Sequence, residues 1–224
     1  MVKISTGAAF LDQLLEGGYD PDIITTIFGP SGAGKTNLCL LAAVKVAESG
    51  KKVLFIDTEG GIAVERIKQI SSDYNETLNR ILFFNPVTFV EQNDVLEKVK
   101  ELVSDQIGLI VVDSISMLYR LELGKSEEVY EVNSALGRQI AYLVEIARRK
   151  KIPVLITNQV YADFDHREEV KMVGGDLLKY GSKCLLELRR GEESRELILR
   201  KHRSLPEGRK VKFKIVEKGI EVLS

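Results

Sequence analysis

Eight residues, Gly29-Pro30-Ser31-Gly32-Ala33-Gly34-Lys35-Thr36, restrict what this chain can become more than any other stretch. Their glycines let the backbone curl with successive N–H groups turned inward, a shape suited to phosphate oxygens. An apolar, β-branched run (Ile23, Ile24, Thr25, Thr26, Ile27, Phe28) precedes them, and Asn37 to Glu48 follows with the spacing of a helix. The loop therefore lies where a strand feeds a helix N-terminus, whose partial positive charge also favours anions. In that setting Gly29 to Asn37 would cradle phosphates, Lys35 would reach the β- and γ-phosphates and the Thr36 hydroxyl would sit on Mg²⁺. This is a Walker A loop, and ATP with Mg²⁺ are the expected cofactors.

The other apolar runs end in polar residues of the kinds such a loop needs. Val53-Leu54-Phe55-Ile56 closes in Asp57-Thr58-Glu59-Gly60-Gly61, and Leu109-Ile110-Val111-Val112 closes in Asp113-Ser114. Pro153-Val154-Leu155-Ile156-Thr157 closes in Asn158-Gln159-Val160. Continuous apolar runs are strands buried on both faces, and right-handed crossovers bring the ends of parallel strands to one edge. Lys35, Thr36, Glu59, Asp113 and Gln159 are thus expected to converge there. Asp113 would hold the magnesium beside Thr36, through water or from outside its first shell, the form of a Walker B strand. Glu59 is either the general base for an attacking water or a loop carboxylate without a partner. Gln159 could hydrogen-bond a γ-phosphate and move when it leaves.

Helices are expected at Gly7 to Leu15, Ala63 to Ser72, Phe89 to Val103 and Glu127 to Lys151, and the stretches Ser116 to Lys125 and Tyr161 to Gly175 read as loops. On the Phe89 helix the apolar stripe would be Val90, Val95, Leu96, Val99 and Leu102. After Leu177 to Ser182, a short turn or helix, the pattern changes to strands at Cys184 to Arg189, Glu196 to Leu199 and Val211 to Val216, expected to extend the sheet antiparallel. The whole gives an α/β fold, a mainly parallel sheet flanked by helices with antiparallel C-terminal strands.

With 224 residues and 44% hydrophobic content, the chain fits one large α/β domain over 1–224. Its net charge of −1 draws in no polyanion globally, so any nucleic-acid contact must be local. One such place is Lys183 to Lys218, with twelve lysines or arginines against six glutamates. Cys39 and Cys184 read as buried thiols of a reducing cytoplasm, and no run approaches the roughly 18 apolar residues of a membrane span.

Taken in order, Gly-Pro-Ser-Gly-Ala-Gly-Lys-Thr, Asp57-Thr58-Glu59-Gly60, Leu-Ile-Val-Val-Asp-Ser and Ile156-Thr157-Asn158-Gln159-Val160 resemble the RecA-type recombinase core, specifically its archaeal and eukaryotic branch, from about Ile4 to Val222. The resemblance implies a RecA-like P-loop NTPase in which Glu59 activates water and Gln159 senses the γ-phosphate. It also makes Ser116 to Lys125 and Tyr161 to Gly175 the two DNA-facing loops, with Tyr161, Arg167 and Lys171 as DNA-binding residues. Full recombinases of this branch carry an N-terminal helix-hairpin-helix domain and a Phe-containing polymerisation motif, whereas here 28 residues precede the phosphate loop. A bare core is similar to the archaeal paralogues of the RadA/RadB family. That implies a cytoplasmic, nucleoid-associated accessory of homologous recombination with weak ATP hydrolysis, binding single-stranded or branched DNA and the main recombinase of the RadA type, and able to form a homo-oligomer. A self-sufficient strand-exchange ATPase and a clock- or signalling-type ATPase without DNA are the alternatives. The latter is suggested by Lys201-His202-Arg203, which resembles a trans-acting finger in RecA relatives and equally fits a basic patch on a hairpin.

Overall fold

The segment Ile24–Gly29 (β1) is buried at every position and lies in the middle of the sheet, as expected of a strand covered on both faces. The computed structural model describes residues 2–125, 128–162 and 170–223. Parallel to β1 on one side runs Val154–Ala162 (β5), and on the other Cys184–Arg190 (β7). Beyond β5 lie Ile107–Asp113 (β4), Lys52–Asp57 (β2) and Ile81–Phe84 (β3), all parallel. Beyond β7, Arg195–His202 (β8), Lys210–Val216 (β9) and Gly219–Leu223 (β10) continue antiparallel. A mainly parallel α/β sheet flanked by helices, with an antiparallel C-terminal extension, is what the chain adopts.

Strand side chains alternate between two cores. Val53, Phe55, Val111 and Ile27 point to one face, under Ala9–Leu14 (α1), Lys35–Glu48 (α2) and the Ile67 side of Val64–Ile70 (α3). Leu54, Ile56, Ile110 and Ile24 point to the other, under Phe89–Leu102 (α5), Met117–Leu123 (α6), Val129–Lys150 (α7) and Gly175–Gly181 (α8). The period of two in a strand produces this division from runs that look uniformly apolar in the sequence.

Several expectations need correction. Ser116 to Lys125 is not simply a loop: α6 occupies most of it, because Leu118 and Tyr119 are buried and Tyr119 stacks edge-on against Phe89. Tyr161 to Gly175 is not one long loop either. Strand β5 continues to Ala162 and pairs antiparallel with Val170–Met172 (β6), Tyr161 opposite Lys171. A further helix, Tyr74–Arg80 (α4), follows α3, capped where the Asp73 carboxylate accepts the Glu76 N–H at 3.1 Å. On α5 the buried stripe is Phe89, Gln92, Leu96 and Val99, while Val90 and Leu102 face solvent.

Candidate nucleotide site

Register brings the expected residues to one edge. At the carboxyl end of the sheet Gly29 lies opposite Gln159 and Asp57 opposite Asp113, so the loops that follow four parallel strands open on the same side.

The phosphate loop joins β1 to α2. Gly32 (φ 73°) and Gly34 (φ 101°) occupy the left-handed region, where a side chain is strained, and a Cβ at either would displace the tip of a neighbouring side chain. A Cβ on Gly34 would stand 2.8 Å from Ile215 Cδ1, and one on Gly32 would stand 2.9 Å from Arg190 Nη1. Gly34 caps α2 with no side-chain acceptor, leaving the first-turn N–H groups to the loop's own cavity. The Lys35 ammonium donates to the carbonyls of Gly29 and Pro30, each at 2.9 Å. Burial lowers its pKa, while Glu59 and Asp113 pull it the other way.

Asp113 ends β4 almost fully buried. Burial pushes its carboxyl up, and hydroxyl bonds from Thr157 and Thr36 oppose that shift. Thr36 and Asp113 thus touch, which is the donor set for a cation held jointly with phosphate oxygens. Among the described residues no group of three or more His, Cys, Asp or Glu could hold a metal by itself. An ion here would take Thr36 directly and Asp113 at one remove, so the residues fit a magnesium nucleotide.

Glu59 is aimed by its own loop. The buried Asp57 carboxylate accepts N–H groups from Glu59 (3.1 Å), Gly60 (2.9 Å) and Ile62 (3.3 Å), which fixes the turn. Thr58 ties this turn to the loop after β4, donating to the Ser114 carbonyl at 2.8 Å and accepting the Ser114 N–H at 3.0 Å. From β5 the Gln159 amide donates to Glu59 Oε1 at 2.8 Å, and the Gln159 N–H reaches Ser116 Oγ at 3.4 Å. The proposed base and the proposed sensor are therefore in contact, although a hundred residues separate them.

The cavity these groups share is about 160 Å³, lined by Ser31, Gly32, Gly34, Lys35, Thr36 and Asn37, by Glu59 and Gln159, and by Arg195 and Ile215. That is room for phosphate groups, with a base lying further out. A larger cavity of about 690 Å³ between α7 and α8 is lined by Ile140, Val144, Leu177 and arginines, and none of the converging groups reaches it.

Arg195 and Ile215 escaped the sequence reading, as did Arg66. Arg66 Nε donates to Asn37 Oδ1 at 2.7 Å, and its other nitrogens donate to the carbonyls of Val216 (2.9 Å), Glu217 (2.8 Å) and Gly219 (3.0 Å). It ties α3 and the first turn of α2 to the β9–β10 turn. No local pattern marks these residues; only the return of the antiparallel strands across the loop does.

The remaining expected residues lie elsewhere. Tyr161 is half exposed, two positions beyond Gln159 on β5 and so on the same strand face. Arg167 and the Lys171 side chain lie outside the described residues. Lys201 and Arg203 sit at the opposite, amino edge of the sheet, where His202 pairs with Cys184 at the start of β7. The Lys201 ammonium donates to the carbonyls of Lys179 (2.6 Å) and Ser182 (2.9 Å). Arg203 pairs with Asp22 at 2.9 Å and Asp20 at 3.2 Å.

A sequence model of the Rad51 family matches residues 1–222. The chain is similar to the DNA repair and recombination protein RadB of Methanobrevibacter smithii, 43% identical over 226 residues that cover 97% of this chain and 95% of that protein. The protein of the same name from Methanocaldococcus jannaschii is 42% identical over 218 residues, covering 95% and 99%. Among solved structures, a crystal structure of the RadB recombinase superposes with a TM-score of 0.83 at 39% identity, covering 99% of this chain and all of the other.

Proposed function

The chain belongs to the Rad51 family, and from that premise we propose an ATP-binding protein of DNA repair and homologous recombination, hydrolysing ATP slowly and serving as a DNA-binding accessory to a main recombinase of the RadA type. The contact between Glu59 and Gln159, beside Lys35, Thr36 and Asp113, is the observation that carries it. The relatives are named for repair and recombination, which favours this reading over a clock-type ring.

In this reading the loop from Gly29 to Asn37 supplies backbone N–H groups to the phosphates, and Lys35 leaves the Gly29 and Pro30 carbonyls to pair with them. A magnesium ion held at Thr36 and Asp113 would neutralise charge on the phosphate oxygens. The Glu59 carboxylate accepts the proton of an attacking water. Gln159, in releasing or keeping Glu59, reports the state of the terminal phosphate along β5 to Tyr161 and the β5–β6 hairpin. Glu59 lies at the protein surface, so water is not excluded from its carboxylate, and this supports slow turnover. Tyr161, Arg167 and Lys171 are the residues proposed to meet DNA. No helix among the described residues is long and apolar enough to cross a membrane.

The test is paired. Glu59→Gln should bind ATP like wild type and lose hydrolysis, whereas Arg167→Ala with Lys171→Ala should weaken binding to single-stranded DNA and reduce its salt slope by about one per phosphate contact removed. Unchanged hydrolysis in the first variant would remove Glu59 from the reaction. Unchanged DNA affinity in the second would remove the proposed DNA face.

A further inference from the structure

We infer that Arg195, carried by the C-terminal hairpin of the same chain, binds the phosphates of the nucleotide and completes the cradle that the Walker A loop begins. The inference rests on the proposed nucleotide site and goes beyond it, since the family motifs place no group at this position.

Arg195 is the first residue of β8 and lies opposite Arg190, the last of β7. Both guanidinium groups stand over the phosphate loop: Arg190 Nη1 occupies the space above Gly32, and the Arg195 side chain passes 3.5 Å from where a Gly34 Cβ would be. Arg195 lines the small cavity together with Lys35, Thr36, Glu59 and Gln159. Its hydrogen bonding is incomplete. Nε is buried with no partner, and Nη2 reaches the Gly32 carbonyl only at 3.4 Å. A buried, unpaired guanidinium N–H is costly, and native structures rarely leave one unmatched unless something else supplies the acceptor.

Two other arginines of the molecule are more fully engaged. Arg66 donates to four groups at 3.0 Å or less besides its bond to Gln69, and Arg203 is shared between two carboxylates. Arg195 differs in leaving a donor unmet beside a space already shaped for an anion. Phosphate oxygens match the fork of a guanidinium and can accept two parallel N–H bonds from it. The charge sum agrees: Lys35 is one cation for a triphosphate of about four negative charges, and magnesium leaves roughly one more to offset.

This contact would link the nucleotide to the antiparallel extension. Ile215 of β9 seals the loop from above at Gly34, and Arg66 holds the β9–β10 turn to Asn37 of α2. Binding would therefore tighten β8 and β9 against the loop rather than act on the loop alone.

The test measures affinity for magnesium ATP by calorimetry on the full chain, independent of turnover. Arg195→Ala should weaken binding by about ten- to a hundredfold, the range for loss of a hydrogen bond to a charged group. Arg195→Lys should recover part of that loss, because the charge returns without the fork. Arg209→Ala, whose partners are Glu16 and the Leu14 carbonyl, should bind like wild type. Amide exchange at 195–199 should slow on adding nucleotide to wild type and not to Arg195→Ala. If wild type binds, Lys35→Ala loses binding and Arg195→Ala does not, the inference is overturned while the nucleotide site stands. If Lys35→Ala binds like wild type, both fall together.

Discussion

The two edges of the sheet each gather charged residues, and they use them in opposite ways. At the amino edge Asp20 lies within 3.2 Å of both Arg203 and His202, Asp22 pairs with Arg203, and Lys3 approaches Asp20 at 4.0 Å. His202 Nδ1 accepts the N–H groups of Ser204 and Leu205, each at 3.2 Å. Charges here are spent on one another and on the backbone, Asp20 Oδ2 and Asp22 Oδ1 facing His202 and Arg203 as ion-pair contacts without an aligned hydrogen bond. At the carboxyl edge Lys35 has only main-chain carbonyls, Arg195 keeps an unpaired Nε, and Glu59 is held by one neutral amide. Charge set against opposite charge fastens a fold together, while charge left without a counter-charge at a built cavity awaits a ligand.

That contrast should divide the effects of mutation into activity on one side and stability on the other. The largest expected effect is Glu59→Gln, which should lower the single-turnover hydrolysis rate by about 10²- to 10⁴-fold, the range for loss of a general base, with little change in melting temperature. At the other edge Asp20→Ala should cost about 1–3 kcal/mol in denaturant unfolding, because it leaves the buried His202 imidazole without its carboxylate and Arg203 with Asp22 alone, and ATP affinity should not change. A drop in ATP affinity would contradict the separation of the edges.

Acid should expose the amino edge more gently. Burial lowers the His202 pKa below its ordinary value, with Asp20 opposing and Lys3 and Arg203 reinforcing. The folded state then resists a proton that the unfolded chain accepts near pH 6.5, so stability is full above that pH and declines as pH falls towards the folded pKa. Thermal unfolding of His202→Asn between pH 7 and 5 should show a shallower decline than wild type. The smallest effect is expected for Arg203→Ala, about 1 kcal/mol in stability, since it is partly exposed, with hydrolysis per site preserved. Hydrolysis that is lost, and restored by mixing with Lys35→Ala chains, would instead make Arg203 a finger acting on a neighbour.

The carboxyl edge was legible because its chemistry is local in sequence. Each apolar run names a strand, and the residue that ends it names the edge, so Lys35, Thr36, Glu59, Asp113 and Gln159 could be placed together from topology. Side-chain partners were not legible. That Thr157 bonds Asp113, or that Thr58 bonds the Ser114 carbonyl, depends on register between strands distant in the chain. Arg195 was invisible for the same reason, being 163 residues from the Gly32 carbonyl it approaches. Helix α6 was missed because it is short and runs into the four polar or small residues Gly124-Lys125-Ser126-Glu127, masking a buried Leu118–Tyr119 pair. Strand β10 is short, and its Ile220, Val222 and Leu223 read as a tail until β9 gives them a partner. The apolar stripe of α5 shifted because Gln92 is buried in a polar cluster, donating to Gln139 at 2.7 Å, and hydrophobicity alone gave Val90 its place.

Backbone amide exchange, measured with and without magnesium ATP, tests the division between the edges most directly. Protection should rise at residues 29–37, 57–62, 113–116 and 159, and stay unchanged at 20–24 and 202–205. New protection confined to the amino edge, or none anywhere at saturating nucleotide, would contradict it.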